Sequence, residues 1–486
     1  MSTRRRRFQI LAMAGMAILA AAFLPTVAIA QEGALRIGAA AVVITPPEGT
    51  PMAGYYHERA ADGVHDDLFA KAIVLESGGS KAALVALDLI STTRDMVDEA
   101  RALAEKATGI PGGSVMISAT HSHTGPVLAG RGVREADFGG ASEKSRAYRA
   151  SLPAKIAEAV ALAHGKLAPA RALATRGRED SIAFNRRYHM RDGSVGWNPG
   201  KLNPQVVKPA GPIDPEVPIV FFETDDKARK PLALYVNHAV HLDNIGGLMI
   251  SADLPGVFSR LMAEVKGPDL VTLWTNGCCG DINHINVQWA QPQSGHENAS
   301  RMGIILTAAV LRAWPALEPV AAGPLRATSA IVPLPLPEIT AKDIEEANRV
   351  VERRRDPKAK PPAFLEQVQA YKVLDVERQQ GKPREVEVQV IALGNDIAWV
   401  SLPGEIFVEI GLAIKQDSPF AHTIVAELAN GSVGYIPTRR AYTQGNYEVV
   451  SARVAEGSGE MLVDAAVAML KKLYAERAAE TAGKER

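Results

Sequence analysis

Two pairs among the 11 histidines stand directly after apolar, strand-like runs. The first is Thr120-His121-Ser122-His123-Thr124-Gly125-Pro126, which follows the run 115–120. In an extended segment both rings of a His-x-His pair face the same way, so His121 and His123 can line one site. The second pair lies in Asn237-His238-Ala239-Val240-His241, with Asp243 and Asp253 downstream. A third group, Leu402-Pro403-Gly404-Glu405, falls between a predicted strand and a predicted helix, where a carboxylate can be held at the helix start. Two neutral imidazoles and one carboxylate around an open position form a common catalytic zinc shell. The competing reading of the same residues is hydrogen-bonded loop histidines and a Glu that caps a helix. Spacing alone leaves both open.

The elements that must position these residues alternate along the chain. Apolar runs at 35–45, 69–75 and 81–90 read as strands, the last two joined at Gly78-Gly79 as a hairpin. Further strands are expected at 115–120, 219–223, 232–237 and 270–274, and helices at 94–108, 145–167, 254–265 and 300–314. The charged stretch 344–380, with Arg353 to Arg355, reads as a solvated pair of helices. A hairpin at 386–402 and helices at 407–415 and 460–474 complete the chain. This alternation predicts an α/β fold: a single large mixed α/β catalytic domain with the zinc site at strand ends.

Composition narrows the function. Lys+Arg and Asp+Glu are both 54, so the chain lacks the basic footprint of a nucleic-acid binder. Only 5% of residues are aromatic, which argues against a stacking platform for single strands. Two cysteines, the adjacent Cys278 and Cys279, cannot form a disulfide framework and are expected as buried thiols. Residues 1–30 read as a signal peptide. Arg4 to Arg7 form a basic region, an apolar stretch runs over 10–24, and Ala28-Ile29-Ala30 supplies the small residues for cleavage before Gln31. Arg5-Arg6-Arg7-Phe8 resembles a twin-arginine signal. The expected mature chain is exported, periplasmic or secreted, with no transmembrane segment.

Four motifs carry a family resemblance from about residue 36 to residue 474. They are Ile37-Gly38 through Ile44-Thr45 with Met52-Ala53-Gly54-Tyr55 and Gly63-Val64-His65; Ser118 to Pro126; Asn276 to Gly280-Asp281-Ile282-Asn283; and Leu402 to Glu405 with Gly434-Tyr435-Ile436-Pro437-Thr438 and Tyr442. Together they resemble the catalytic domain of the neutral ceramidases, zinc-dependent amidases of sphingolipid metabolism. The resemblance implies one Zn2+ held by His121, His238, Glu405 and Tyr442, with Tyr447 as the alternative tyrosine. It implies His123 and Asp281 as catalytic helpers, and Arg186 and His65 as substrate-binding residues. Asp88 is read either as a partner of a ligand histidine or as an ordinary strand-end carboxylate.

Two departures qualify the resemblance. The family carries a serine where this chain has Asn283, and an amide cannot serve as an alkoxide nucleophile. Asn283 is expected instead as a hydrogen-bond donor to an oxyanion, with zinc-activated water as the nucleophile. The family's ceramidases also carry a C-terminal immunoglobulin-like domain, whereas this chain ends soon after Lys472. The expected organisation is a signal peptide at 1–30 and one catalytic domain at 31–486, with its core at about 35–475. The expected function is zinc-dependent hydrolysis of an amide (N-acyl) bond in a small-molecule or lipid substrate, ceramide or another N-acyl compound. Hydrolysis of an ester or other linkage, or a non-catalytic metal-binding relative, are the alternatives.

Overall fold

The strand Phe69–Ser77 is buried along nearly its whole length, so its sheet must be covered on both faces. The computed structural model, which describes residues 34–321 and 323–484, shows what covers it. The expected signal peptide at 1–30 lies outside the described residues. Residues Gly33–Arg486 form one compact unit, in keeping with the single mixed α/β domain read from the sequence.

The larger sheet has nine strands. In spatial order they are Val271–Asn276, Pro231–His238, Glu216–Thr224, Ala168–Arg178, Arg36–Val43, Phe69–Ser77, Ser80–Leu87 and Val115–Ala119, with Glu318–Pro319 added beside Ala168–Arg178. A smaller sheet runs Leu325–Leu334, Arg384–Leu393, Ile397–Ser401 and His422–Ala426. Most neighbours are antiparallel. Within these two sheets the parallel pairs are Ser80–Leu87 with Val115–Ala119, Pro231–His238 with Val271–Asn276, and Ile397–Ser401 with His422–Ala426.

Side-chain alternation divides each strand between two layers. Ile73, Leu84, Tyr235 and Leu273 of the larger sheet meet Ile391, Trp399 and Ile424 of the smaller one in a shared core. The opposite face of the larger sheet takes helices on two sides. Val74, Val85 and Ile117 pack against helices Arg94–Thr108 and Glu143–Gly165, and Leu234 and Val236 pack under Leu254–Lys266 and His296–Ala313. The outer face of the smaller sheet is covered by Val408–Asp417 and Ser458–Lys484. The result is four layers: helices, sheet, sheet, helices. The charged stretch forms helices Ala341–Arg355 and Phe364–Glu377, packed through Val350, Val351, Tyr371 and Leu374. Among the described residues no helix is long and apolar enough to cross a membrane.

Candidate metal centre

His121 stands two residues beyond the strand Val115–Ala119. The chain turns sharply there, and His121 takes φ 74°. A left-handed backbone is uncommon for a residue with a Cβ and persists only where the surroundings impose it. Here they do. The amides of Thr120 and His121 donate to the carbonyls of Leu87 and Leu89, both at 2.9 Å. The hydroxyls of Ser122 and Thr124 donate to Ser251 O, at 2.7 and 2.9 Å. Arg59 donates to His123 O at 2.7 Å. Gly54, at φ 100°, passes so close that a Cβ there would lie 2.6 Å from His123 Nδ1, so only glycine leaves room for the ring.

The turn brings His121 against His123 and His241, whose ligand atoms with its own lie within 4.8 Å of one another. His121 Nε2 is 2.9 Å from His241 Nε2 and 3.3 Å from His123 Nε2. Two hydrogen bonds fix the tautomers. His121 Nδ1 donates to Ile90 O at 2.7 Å, and His241 Nδ1 faces Cys279 O at 3.4 Å. With both Nδ1 atoms protonated, the two Nε2 atoms point lone pairs at each other. That contact is repulsive unless a cation lies between them, and it is the arrangement metal-ligating histidines adopt. Glu405 Oε2 adds a carboxylate 3.6 Å from His121 Nε2 and 3.9 Å from His241 Nε2. Burial lowers the pKa of all three rings, that of His123 and His241 well below the ordinary value, so they stay neutral and keep their lone pairs. Nitrogen donors with one carboxylate oxygen suit a zinc-type ion.

The Gly280-Asp281 motif supports this centre from behind. Gly280 N donates to Ile406 O at 2.8 Å, and a Cβ on Gly280 would sit 2.5 Å from Glu405 O. Asp281 Oδ1 accepts from Val408 N and Oδ2 from Asn185 Nδ2, both at 2.8 Å. Burial raises the Asp281 carboxyl to about 6. Both residues therefore anchor the segment that carries Glu405. Glu427, which the sequence reading did not single out, accepts from Ile406 N at 2.7 Å and from Cys279 N at 3.1 Å. Its other oxygen accepts from Cys279 Sγ at 2.9 Å. Cys278 and Cys279 are both free and buried, as expected. Tyr435, paired with Glu405 across two short strands, hydrogen-bonds the Glu405 carboxylate.

Several residues expected at the site lie elsewhere. His238 is still within its strand and continues the face of Leu234 and Val236, which packs under the helices. Its Nδ1 faces Glu216 O at 3.3 Å, so His241, three residues on, takes the place expected for His238. Tyr442 donates to Val454 O at 2.7 Å and stands apart from the histidines, whereas Tyr447 and Tyr435 share a cavity with them. Arg186 is buried, and its donors go to Glu448 at 2.9 Å, Gly280 O at 2.7 Å and Tyr435 Oη at 3.1 Å. It positions Tyr435 rather than facing the cavity. His65 is half-exposed, bonded to Asp66 at 2.8 Å and stacked on His296 at 3.8 Å. Asn283 is fully buried; its amide donates to Asn198 Oδ1 at 3.0 Å and its oxygen accepts from Ile285 N at 3.1 Å. Asp88 accepts from Phe69 N at 3.0 Å and holds no histidine. Beside the centre, Asp243 Oδ1 lies 3.0 Å from His284 Nδ1.

His121, His123, Glu405, Tyr435 and Tyr447 open onto one cavity of about 60 Å3. No protein-family model matches the chain, nor does any curated protein. Solved structures do. Neutral ceramidase from Pseudomonas aeruginosa superposes with a TM-score of 0.71 at 20% identity, over 91% of this chain and 75% of that one. A ceramidase complexed with C2 gives 0.70 at 20% identity, over 90% and 76%. The chain thus has the ceramidase fold, with a cluster of three histidines, His121 and His241 buried and His123 partly so, able to hold a metal ion.

Proposed function

We propose that this chain is a zinc-dependent hydrolase of an N-acyl (amide) bond, a divergent relative of the neutral ceramidases with its centre at the strand ends. One observation carries the reading: two imidazole lone pairs face each other at 2.9 Å, their tautomers held by backbone carbonyls, with a carboxylate beside them. When bound, the ion supplies a Lewis acid and brings the pKa of a coordinated water toward neutrality. His121, His241 and Glu405 would hold it. His123 has a different role. Its Nδ1 is buried without a protein partner, so no carbonyl locks its tautomer, and its depressed pKa keeps the ring neutral. It is the ring free to take a proton from the attacking water. Burial keeps the Tyr447 hydroxyl protonated, ready to donate to a developing oxyanion, while the Tyr435 hydroxyl is engaged by Glu405. Asn283 offers no alkoxide, so the reading uses water as nucleophile.

The test is turnover by zinc-loaded protein on N-acyl amino acids, N-acyl lipids and esters. Amide hydrolysis that a chelator abolishes and zinc restores is the expected result. Full zinc occupancy with no turnover, or with ester turnover alone, overturns it. The basic and apolar leader ending at Ala30 supports export, and N-terminal sequencing of exported protein should begin at Gln31.

A further inference from the structure

The cavity that His121 and His123 open onto is also lined by guanidinium groups. Arg131, Arg134, Arg384 and Arg453 line it, against the carboxylates Glu135 and Asp375. Arg134 Nε bonds Glu135 at 3.0 Å, and Arg453 Nε bonds Asp375 at 2.7 Å. Asp375 is further engaged by Val133 N at 2.9 Å. The other two arginines are left with open donors. Arg131 meets Glu135 only at 3.7 Å, beyond hydrogen-bond range. Arg384 gives one bond, to Asp375 O at 3.3 Å, while its Nε is buried without a partner. Arg131 side chain is 12% exposed. Sequestered cations with unused donors are costly unless a ligand completes them. A guanidinium fork matches the paired oxygens of a carboxylate or phosphate. The cavity is also small, and Ile90 and Val433 are the aliphatic side chains lining it, a poor wall for long acyl chains.

We infer that the substrate is a small N-acyl compound bearing an oxyanion, a carboxylate or a phosphate, which Arg131 and Arg384 bind beside the metal centre. This rests on the amide-hydrolase reading for the reaction, but the anion site stands on the arginines alone.

The test separates the two. Titration calorimetry on metal-free protein compares N-acetylglycine, its uncharged carboxamide and inorganic phosphate. The expected result is that an anion binds at least tenfold tighter than the carboxamide, and that Arg131→Gln and Arg384→Gln each remove that advantage. Arg384→Lys, which keeps the charge but not the fork, should retain part of it, and melting curves show which variants fold. Arginine-dependent preference for the carboxylate assigns an N-acyl amino acid type of substrate; preference for phosphate assigns a phosphorylated one. On zinc-loaded enzyme the same variants should raise KM for the acid while kcat changes little. If anions bind through the arginines but no amide is cleaved, the reaction reading fails and the site remains. Equal binding of acid and carboxamide, or folded Gln variants that bind like wild type, overturns the inference.

Discussion

The choice between His241 and His238 is the sharpest test of the metal centre. Change each to Ala separately, with His121→Ala as the reference. His241 Nε2 lies 2.9 Å from His121 Nε2, whereas His238 Nδ1 faces a backbone carbonyl at 3.3 Å. A structural zinc site is worth about 10–16 kcal/mol over about four donors, so one imidazole carries about 3 kcal/mol. That is about 100-fold in affinity. His241→Ala should therefore weaken zinc binding by about 100-fold, as His121→Ala should. Its backbone stays packed, so the metal-free melting temperature should move little. His238→Ala empties a fully buried ring position beneath the helices. It should lose about 3 kcal/mol of stability by leaving a cavity, with zinc affinity within a few-fold of wild type. The assay is competition for zinc against a chromophoric chelator, alongside chemical denaturation of metal-free protein. The reverse pattern, zinc lost in His238→Ala and kept in His241→Ala, would refute the geometry.

Three other outcomes follow from side-chain environments. Asn283→Ala should slow turnover less than about tenfold, because both ends of the side chain are held by Asn198 and Ile285. A loss of about 100- to 1000-fold at unchanged zinc content would make it an oxyanion donor after all. Asp253 caps helix Leu254–Lys266, and burial raises its carboxyl from 3.8 to about 6. Its favourable protonated form contributes fully below about pH 3.8 and is lost as pH rises through about 6, a change of about 3 kcal/mol. Denaturant melts of wild type relative to Asp253→Asn should therefore lose about that much stability between pH 4 and pH 7; a constant difference would contradict the assignment. Arg186→Met leaves Glu448 buried with Arg187 alone, so it should cost about 3–5 kcal/mol in denaturation and displace Tyr435. Near-native stability in that variant would mean Arg186 is not the strut described here.

Most of the fold was legible because its strands and helices keep clean apolar periods. The predicted hairpin at Gly78-Gly79 is observed, with Phe69–Ser77 paired to Ser80–Leu87. The packing of a second sheet on the first was not legible. Ile391 and Trp399 read as a buried hairpin in sequence, and nothing local says that their partners are Ile73 and Leu84. At the site, His121 was legible because His-x-His directly follows a buried strand. The family resemblance implies His238 at the position where the structure places His241. The signal that decides between them was nonetheless present. Leu234, Val236 and His238 share one face of a strand, and that face is apolar. A ring on it points into the helices, while a residue in the following loop is free to turn back.

The residues that confer chemistry and those that confer selectivity are legible to different degrees for a physical reason. A metal shell needs particular atoms at short range, so it survives as His and Glu in recognisable local motifs. The arginine wall has no local signature. Arg131 comes from the loop after the His-x-His turn, Arg134 from the short helix Val133–Glu135 that follows it, Arg384 opens a strand of the second sheet, and Arg453 follows the short helix Tyr447–Ser451. Each alone reads as a surface charge, in keeping with a chain of zero formal net charge. Only the four-layer packing gathers them around one cavity with Glu405 and the histidines. A shared fold at 20% identity shows the fold and leaves the substrate to be read from the site's own side chains. The arginines that would bind a substrate oxyanion are this chain's own, and it is there that the substrate should be sought.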